Sequence, residues 1–379
     1  MINYFYNSVR VYQGRGCLSE LPEACKEALQ NEMNSGILLL VWDKSVLEQK
    51  GFQKLMEEFP NVVVEECSVS NPEIEDLFAI YQKTLRFHIE LVIAVGGGSI
   101  LDLGKSLCMI RDEEIASVED LRKRIAEKNY KKGALRWIGV PTTSGTGSEV
   151  TCWATIWDTE NLKKFSIATT DNYAYAAFAD SKLTEKLPTK LAVSSALDAV
   201  CHAVESYWAK STNDISKIYA LDAIRAVFTA LPAVIEKRNL KIAAEILSRG
   251  SLLAGLAFSN THTTACHSIS YPLTMLYHIP HGVAVALLLG GVFKLNEPMI
   301  SNLPRLLESF GVESIDEIQP LIEKYLSAAG FETRLSKWGA TDASLKEAAE
   351  KSMTRGRADN NPIPLTTENV LQILNRIKE

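Results

Sequence analysis

Two side chains in the stretch ALDAVCHAVE (196–205) stand out from an otherwise apolar helical pattern. Asp198 and His202 are four residues apart, so on an α-helix they lie on the same face. A carboxylate and an imidazole in apolar surroundings form either a buried hydrogen-bonded pair or part of a metal site. Because such a pair is more often structural, the choice between the two depends on further ligands elsewhere in the chain.

Further imidazoles are concentrated in one later segment, since four of the six histidines lie from His262 to His281. The stretch CHSISYPLTMLYHIPHG (266–282) has His267 in a helical pattern and His281 in a turn after a proline. One carboxylate and three imidazoles suit iron or zinc, with one coordination position left for a substrate oxygen. The sequence therefore predicts a metal site formed by Asp198, His202, His267 and His281.

Two cysteines adjoin these predicted ligands and are alternative zinc thiolates. Cys201 precedes His202, and Cys266 precedes His267. Small buried thiols are common in helix packing, and four better ligands are already available. We therefore interpret both cysteines as packing residues.

Glycine-rich loops in the first half of the chain indicate phosphate binding. VGGGSILDLGK (95–105) follows an apolar strand pattern and opens a helical one, so the backbone N–H groups of Gly97, Gly98 and Ser99 can hold a pyrophosphate. The spacing is neither G-x-G-x-x-G nor a P-loop, and a plain glycine-rich turn is an equal alternative. PTTSGTGSEV (141–150) also follows a strand pattern. Two such loops suit a dinucleotide at the carboxyl edge of a parallel sheet.

Asp43 ends the first strong strand pattern, LLLVWDKS (38–45). An acidic side chain at this position can accept hydrogen bonds from an adenosine ribose and repel a 2′-phosphate, which favours NAD over NADP. The same residue also fits the N-cap of the following turn. The two interpretations are equally supported, and one residue can serve both.

The elements that carry these residues divide the chain into two parts. Up to residue 185, strand patterns alternate with helical ones, which is typical of an α/β fold with a mostly parallel sheet. After that point the strand patterns stop and helical patterns continue. We expect a dinucleotide-binding α/β domain at 1–185 and an all-helical metal-binding domain at 186–379. The predicted strands are 36–43, 61–69, 90–99, 136–145 and 175–180.

Composition limits the classes of partner. The 379 residues are 46% hydrophobic and 23% charged, with a net charge of −6 and no basic run interleaved with aromatics, which makes nucleic acid a poor partner. The longest apolar stretches, 37–42 and 283–293, are shorter than the ~20 residues that span a bilayer. Seven cysteines without C-x-x-C and an N-terminus without a leader pattern are typical of a cytoplasmic protein. We expect a small-molecule substrate.

Four stretches, taken together and in this order, resemble the iron-dependent (group III) alcohol dehydrogenases over nearly the whole chain. The resemblance implies Fe2+, or alternatively Zn2+, on the four predicted ligands, NAD (or NADP) as cofactor, and a homodimer or larger assembly. The stretches are GGGSILDLGK, PTTSGTGSEV, DAVCHAVE and HSISYPLTMLYHIPHG. The residues predicted to bind the cofactor, from these loops and from the resemblance, are Asp43, Asn71, Gly97, Gly98, Ser99, Asp102, Thr142, Thr143, Thr146 and Lys164.

The chemistry implied by the resemblance is hydride transfer between the nicotinamide and a carbonyl carbon, with the cation polarising the carbonyl oxygen. Lys164 would help to fix the nicotinamide ribose; without the resemblance it is better interpreted as a solvated surface lysine. Many family members have a histidine where this chain has Tyr271. Tyr271 is either a proton donor to the substrate oxygen or a wall of the pocket.

Two further departures from the family pattern concern the substrate. NTHTTAC (260–266) provides a polar wall of His262, Thr263 and Thr264, and TRGRADNNP (354–362) has Arg357 where related chains have a small residue. A guanidinium binds carboxylate or phosphonate through paired hydrogen bonds, so an anionic substrate is predicted.

The polar wall resembles the subgroup that reduces phosphonoacetaldehyde to 2-hydroxyethylphosphonate. One alternative is a broad reductase of short aldehydes, such as a butanol or 1,3-propanediol dehydrogenase, with Arg357 in a surface salt bridge. Alternatives from other classes are a lyase similar to dehydroquinate synthase and a non-enzymatic sensor of dinucleotides. The aspartate with three histidines argues against the lyase, whose ligand set normally includes a glutamate.

Overall fold

The structure is a computed structural model that describes residues 4–130, 135–161, 163–353 and 356–379. It contains two compact units. The first comprises Asn7–Thr143 and Ser148–Leu183, and the second comprises Ser144–Gly147 and Thr184–Glu379 together with the N-terminal residues up to Tyr6. The main division lies close to the predicted boundary at 185, but the loop Ser144–Gly147 groups with the helices.

The first unit has, within its described residues, a six-stranded parallel sheet in the order β1-β8-β5-β4-β2-β3 and a separate antiparallel hairpin of β6 and β7. This confirms the predicted α/β class. The predicted strand patterns correspond to β2, β3, β4, β5 and β8, whereas β1 and the hairpin were not predicted. The strands are Arg10–Gln13 (β1), Ile37–Val41 (β2), Val62–Glu66 (β3), Leu91–Gly96 (β4), Arg136–Pro141 (β5), Trp153–Asp158 (β6), Lys163–Ala168 (β7) and Ala176–Ala179 (β8).

Helices cover both faces of this sheet, because successive side chains of a strand point to opposite sides. Along β2, Leu38 and Leu40 enter one hydrophobic core, whereas Leu39 and Val41 enter the other. Both sides of the central strands are therefore buried. The helices of this unit are Leu21–Ala28 (α1), Lys50–Glu58 (α2), Ile74–Thr84 (α3), Gly98–Ile110 (α4) and Val118–Glu127 (α5).

The second unit is helical throughout its described elements and has a core of its own. Its first helix, α6, is buried along most of its length, as expected for a helix with apolar residues on every side. The helices are Thr189–Trp208 (α6), Asp214–Ile235 (α7), Leu240–Phe258 (α8), Ala265–Tyr277 (α9), His281–Asn296 (α10), Leu303–Phe310 (α11), Ile318–Ala328 (α12), Asp342–Lys351 (α13) and Thr367–Arg376 (α14).

Two helical stretches among the described residues are long and apolar enough to cross a membrane: α7 and His281–Met299. In each, at least half of the most apolar window is buried inside the protein. Core helices pass the same test, so these two stretches are weak evidence for a membrane span.

Candidate active site

Three side chains from three helices converge in the helical unit. Asp198 lies on α6, His267 near the start of α9, and His281 is the first residue of α10. Asp198 Oδ1 is 3.5 Å from His267 Nε2 and 4.0 Å from His281 Nε2. One ligand atom from each residue lies within 4.8 Å of the others, as a metal ion requires. We call these three residues the ligand cluster.

The turn before His281 is built to bring α10 against α6. His278 ends α9 in the left-handed conformation, and Pro280 is the N-cap of α10. A Cβ atom at Gly282 would lie 2.3 Å from the carbonyl oxygen of Ser194 on α6. Only glycine therefore permits the close approach that places His281 beside Asp198.

The ligand cluster fits a divalent cation, because two of its buried polar atoms are not satisfied by the described residues. Within the described part of the chain, Asp198 Oδ1 and His267 Nε2 have no hydrogen-bond partner. Burial favours a protonated Asp198, but the three neighbouring histidines outweigh burial and hold the pKa of this carboxyl below its ordinary value. Asp198 is therefore an anion whose Oδ1 faces the Nε2 atoms of His267 and His281, and a carboxylate with imidazoles is a donor set that suits iron and zinc.

His202, the fourth predicted ligand, lies beside the ligand cluster. Its Nδ1 is 3.9 Å from Asp198 Oδ2, and its ring stacks on those of His267 and Phe258 at centroid distances of 4.4 and 4.2 Å. Burial lowers its pKa to about 4, so the ring is neutral at physiological pH, and it hydrogen bonds to the backbone of Gly145. The structure thus brings three of the four predicted ligands into coordinating distance, and the role of His202 as a ligand stays a prediction.

Glu205 was not predicted as a functional residue, although it ends the motif DAVCHAVE. It is completely buried, and its Oε2 lies 2.5 Å from His267 Nδ1. Its position is seven residues after Asp198 on α6, which is the same helix face. That spacing is a signal from which its neighbourhood to the ligand cluster could have been predicted.

A second group of predicted residues lies next to His281. The Arg357 guanidinium is 5.0 Å above the Tyr271 ring and hydrogen bonds to the Tyr271 hydroxyl. Tyr271 in turn stacks on His281, with ring centroids 5.9 Å apart. Burial raises the pKa of Tyr271 although Arg357 opposes the shift, and His262 has a lowered pKa through desolvation and the charge of Arg357. Arg357 therefore contacts a ring that in turn contacts the cluster, and among the described residues it has no ion pair with a carboxylate.

The segment that carries Arg357 is fixed to the loop that carries His262. Asn360 Nδ2 donates to the carbonyl oxygens of Thr261 and Thr263, at 2.7 and 3.1 Å. Thr354 and Arg355, from the same predicted pocket segment, lie outside the described residues.

Thr264 was wrongly predicted as a polar wall that faces substrate. It is completely buried; its hydroxyl donates to Glu205 and accepts from the Trp208 indole, at 2.8 and 2.9 Å. Both bonding capacities are used inside the protein, which sequence spacing could not reveal. Cys201 and Cys266 are also buried, and burial raises their pKa values far above the ordinary range, which agrees with packing roles.

The predicted phosphate-binding residues of the first unit gather at the carboxyl edge of its sheet. The chain runs from β2 outward to β3 and then returns to β4 on the other side of β2, so the topological switch point lies between β2 and β4. Gly97 is the N-cap of α4 at this point, and Ser99 Oγ accepts a hydrogen bond from the backbone N–H of Asn71 at 3.1 Å. The N–H of Thr142, just after β5, donates to the Gly96 carbonyl.

Adjacent positions complete this edge. A Cβ at Gly97 would lie 3.5 Å from the Thr143 side chain, so the two loops are in contact, and Gly98 is the first residue of α4. Asp43, at the end of β2, accepts a hydrogen bond from the Ser45 N–H at 2.7 Å. The N-cap interpretation of Asp43 is therefore confirmed, and it leaves the ribose interpretation open.

Three other predicted cofactor residues have different surroundings. Asp102 accepts hydrogen bonds from Ser148 Oγ and Thr155 N, at 2.6 and 2.9 Å, so its carboxylate links α4 to the segment after β5 and to strand β6. Lys164 lies on the β6–β7 hairpin with its Nζ 4.8 Å from the Trp157 ring centre. Thr146 belongs to the loop that groups with the helical unit.

Both parts of the chain match models of known protein families. Residues 8–181 match the iron-containing alcohol dehydrogenases, and residues 192–378 match the C-terminal part of the Fe-containing alcohol dehydrogenase family. The chain belongs to the iron-containing alcohol dehydrogenase family. This confirms the predicted oxidoreductase class and decides against the lyase alternative.

Individual relatives of this dehydrogenase differ in substrate. A 1,3-propanediol dehydrogenase of Citrobacter freundii is 29% identical, and an NADPH-dependent butanol dehydrogenase of Clostridium saccharobutylicum is 26% identical; both alignments cover 96% of this chain and 95% of the relative. The crystal structure of sulfoacetaldehyde reductase from Bifidobacterium kashiwanohense in complex with NAD+ superposes with a TM-score of 0.88 at 26% identity. That alignment covers 100% of this chain and 99% of the other.

Proposed function

We propose that this alcohol dehydrogenase is a metal-dependent, NAD-linked reductase of a small aldehyde that carries an anionic group, with phosphonoacetaldehyde as the candidate substrate and 2-hydroxyethylphosphonate as the product. The family membership supports the reaction type. The anionic character of the substrate is supported by one contact series in the helical unit.

That series runs from Arg357 through Tyr271 to His281. A permanent positive charge stacks on one face of an aromatic ring, and that ring stacks on a member of the ligand cluster. Arg357 keeps further N–H donors beyond the one that bonds Tyr271, because a guanidinium has five. A short substrate with a carbonyl at the cluster and an anionic group at Arg357 suits this arrangement.

A bound cation would supply Lewis-acid polarisation of the carbonyl oxygen, and a bound nicotinamide would supply or accept the hydride. Asp198, His267 and His281 would hold the cation, with His202 as the fourth ligand. Tyr271 stays protonated at neutral pH because burial raises its pKa, so its hydroxyl retains a proton beside the cluster. His262 is uncharged at neutral pH, since its lowered pKa follows from desolvation and from the charge of Arg357.

The first unit would hold the dinucleotide at the carboxyl edge of its sheet. The N-terminus of α4 directs backbone N–H groups and the positive end of the helix dipole toward a pyrophosphate at Gly97, Gly98 and Ser99. Asp43 would accept a hydrogen bond from the adenosine ribose, and its negative charge favours NAD over NADP. The other cofactor residues proposed are Asn71, Asp102, Thr142, Thr143, Thr146 and Lys164.

A broad dehydrogenase of short alcohols is the second candidate. It is supported by the butanol and propanediol dehydrogenases that align with nearly the whole chain. The sulfoacetaldehyde reductase, whose named substrate is an anionic aldehyde, supports the first candidate, and its alignment also covers the whole of this chain. A homodimer or larger assembly and a cytoplasmic location remain part of the proposal, and sedimentation of the purified protein tests the first of these.

Steady-state kinetics with two anionic aldehydes and one neutral aldehyde decides between the candidates. The purified, iron-loaded enzyme is assayed by NADH oxidation with phosphonoacetaldehyde, succinic semialdehyde and butanal. For Arg357→Ala we expect kcat/KM to fall about 10- to 100-fold for the anionic aldehydes, the usual range for a lost charge-assisted hydrogen bond, and to stay unchanged for butanal. Arg249→Ala, an exposed arginine on α8, is the control and leaves all three values unchanged.

A preference for butanal that survives Arg357→Ala would exclude the anionic substrate and favour the broad dehydrogenase. Tight NAD binding without turnover of any aldehyde would instead favour the sensor.

A further inference from the structure

Glu205 is a buried carboxylate beside the ligand cluster to which neither the sequence motif nor the reaction assigns a role. It has no exposed surface, and the described residues around it supply only hydrogen-bond donors. A buried anion with this many donors is held in one orientation. The question is what that fixed orientation does.

Each oxygen of Glu205 has its own donors. Oε1 accepts from the backbone N–H of Cys266 at 2.5 Å and from the Thr264 hydroxyl at 2.8 Å, and Oε2 faces His267 Nδ1 at 2.5 Å. The Trp208 indole N–H donates to the Thr264 hydroxyl oxygen, which leaves the hydroxyl proton directed at Glu205. The carboxylate is thus locked by groups at the start of α9 and at the end of α6.

This arrangement decides which nitrogen of His267 carries the proton. An ionised carboxylate can only accept hydrogen bonds, so Nδ1 must be protonated. In the neutral ring Nε2 then carries a lone pair, and this atom lies 3.5 Å from Asp198 Oδ1, which has no hydrogen-bond partner in the described chain. Burial lowers the pKa of His267, but Glu205 and Asp198 outweigh burial and raise it, so without a metal a proton on Nε2 faces Asp198. When the ring is neutral, a cation between the two electron-rich atoms takes the place of that proton.

We propose that Glu205 is a positioning residue for the metal, which holds His267 as the Nδ1–H tautomer and directs its Nε2 at the site shared with Asp198 and His281. This inference rests on the metal dependence proposed above and is independent of the anionic substrate.

Glu205→Gln is the sharpest test, because an amide of the same shape cannot satisfy all the surrounding donors. With its oxygen toward His267, its NH2 group faces the N–H of Cys266, donor against donor. With its NH2 toward His267, it favours the opposite tautomer, which protonates Nε2 and blocks metal binding. Either orientation weakens the metal site while the volume of the side chain is preserved.

The experiment measures the dissociation constant of Zn2+ for metal-stripped protein by competition with a chromophoric chelator. We expect Glu205→Gln to bind Zn2+ 10- to 100-fold more weakly than the wild type, the usual cost of losing an outer-shell partner. Glu149→Gln is the matched control, because Glu149 is also a buried glutamate but lies in the other unit. Its Zn2+ affinity should equal that of the wild type.

A Zn2+ affinity of Glu205→Gln within twofold of the wild type would overturn the positioning role. If the wild type itself binds no Zn2+ or Fe2+, both this inference and the proposed metal dependence fail. If the wild type binds metal and Glu205→Gln binds it equally well, the proposed function stands and this inference alone fails.

A measurement on the wild type keeps the test independent of the folding of the variant. In the zinc-loaded, 15N-histidine-labelled protein, the resonances that disappear in His267→Ala identify that ring. We expect a protonated Nδ1 and a metal-bound Nε2 for His267. A metal-bound Nδ1, or a protonated Nε2, contradicts the proposal whether or not Glu205→Gln folds.

Discussion

Two polar clusters in the interior of the described chain differ in one respect. In the sheet unit, the completely buried Lys105 donates to Thr151 Oγ1 and to the Trp153 carbonyl, at 3.0 and 2.8 Å, and lies 3.5 Å from Asp102. In the helical unit, Asp198 Oδ1 and His267 Nε2 face each other without a hydrogen-bond partner in the described chain. The first cluster is complete as protein, and the second is not.

This difference separates a structural cluster from a ligand site more reliably than residue type does. Both clusters contain a carboxylate next to nitrogen groups, and both belong to motifs that carry the family resemblance. Buried donors and acceptors are normally satisfied, so unsatisfied ones that converge on a point indicate a missing ligand. We therefore expect Lys105 to stabilise the fold, and we propose that the ligand cluster serves the reaction.

Removing the metal should have the largest effect. Chelation of the wild type, or Asp198→Ala, should lower kcat/KM on the order of a thousandfold or more, because a bound cation supplies several kcal/mol of transition-state stabilisation. Fe2+ added back should restore the chelated wild type but not the variant. Elemental analysis checks that the chelated enzyme contains no metal. If that enzyme keeps full turnover, the ligand cluster has only a structural role.

Lys105→Met should instead act on stability. Removing one member of a buried ion pair typically costs about 3–5 kcal/mol in the free energy of unfolding. The Zn2+ affinity of the variant should equal that of the wild type. Lys54→Met, a mostly exposed lysine on α2, is the control and should cost less than about 1 kcal/mol. Urea unfolding together with the Zn2+ titration measures both effects. Weaker Zn2+ binding by Lys105→Met would contradict the separation of the two clusters.

Local patterns predicted much of this architecture because they report burial and periodicity. The apolar runs identified the central strands, and the spacing of Asp198 and His202 identified α6 as the helix that carries the site. The edge strand β1 is mostly exposed along its four residues, so its sequence lacks the apolar run that marks β2 or β4.

The partners of polar residues were harder to predict because they come from distant parts of the chain. Thr264 and Glu205, which form a buried hydrogen bond, are 59 residues apart in sequence. Only the packing of α6 against α9 brings them together. For the same reason Thr264 was misassigned, since a threonine next to a predicted ligand looks the same in sequence whether it faces a substrate or the core.

Glu149 gives the sheet unit a pH dependence that sharpens the comparison. Burial raises its pKa from an ordinary value near 4.5 to about 7, while Lys105 opposes the shift. The folded protein therefore binds a proton that the unfolded chain releases between these two values, and stability falls as pH rises through this window. Glu149→Gln removes this loss, so the free energy of unfolding of the variant minus that of the wild type should increase by about 2–3 kcal/mol between pH 4.5 and 7.5.

Urea unfolding of both proteins at several pH values measures this difference. A difference that stays constant from pH 4.5 to 7.5 would mean that Glu149 has the same pKa in the folded protein as in the unfolded chain.

The smallest expected effect concerns Thr264, at the outer end of the hydrogen-bond series that leads to His267. Thr264→Val removes one of the donors to Glu205 and leaves the Trp208 indole N–H without its acceptor, whereas Thr264→Ser keeps the hydroxyl. We expect about 1–2 kcal/mol of lost stability for the valine variant, and about threefold weaker Zn2+ binding, because His267 and the Cys266 N–H still hold the carboxylate. If the serine and valine variants bind Zn2+ equally well, the series ends at Glu205, and Thr264 and Trp208 belong with the structural groups.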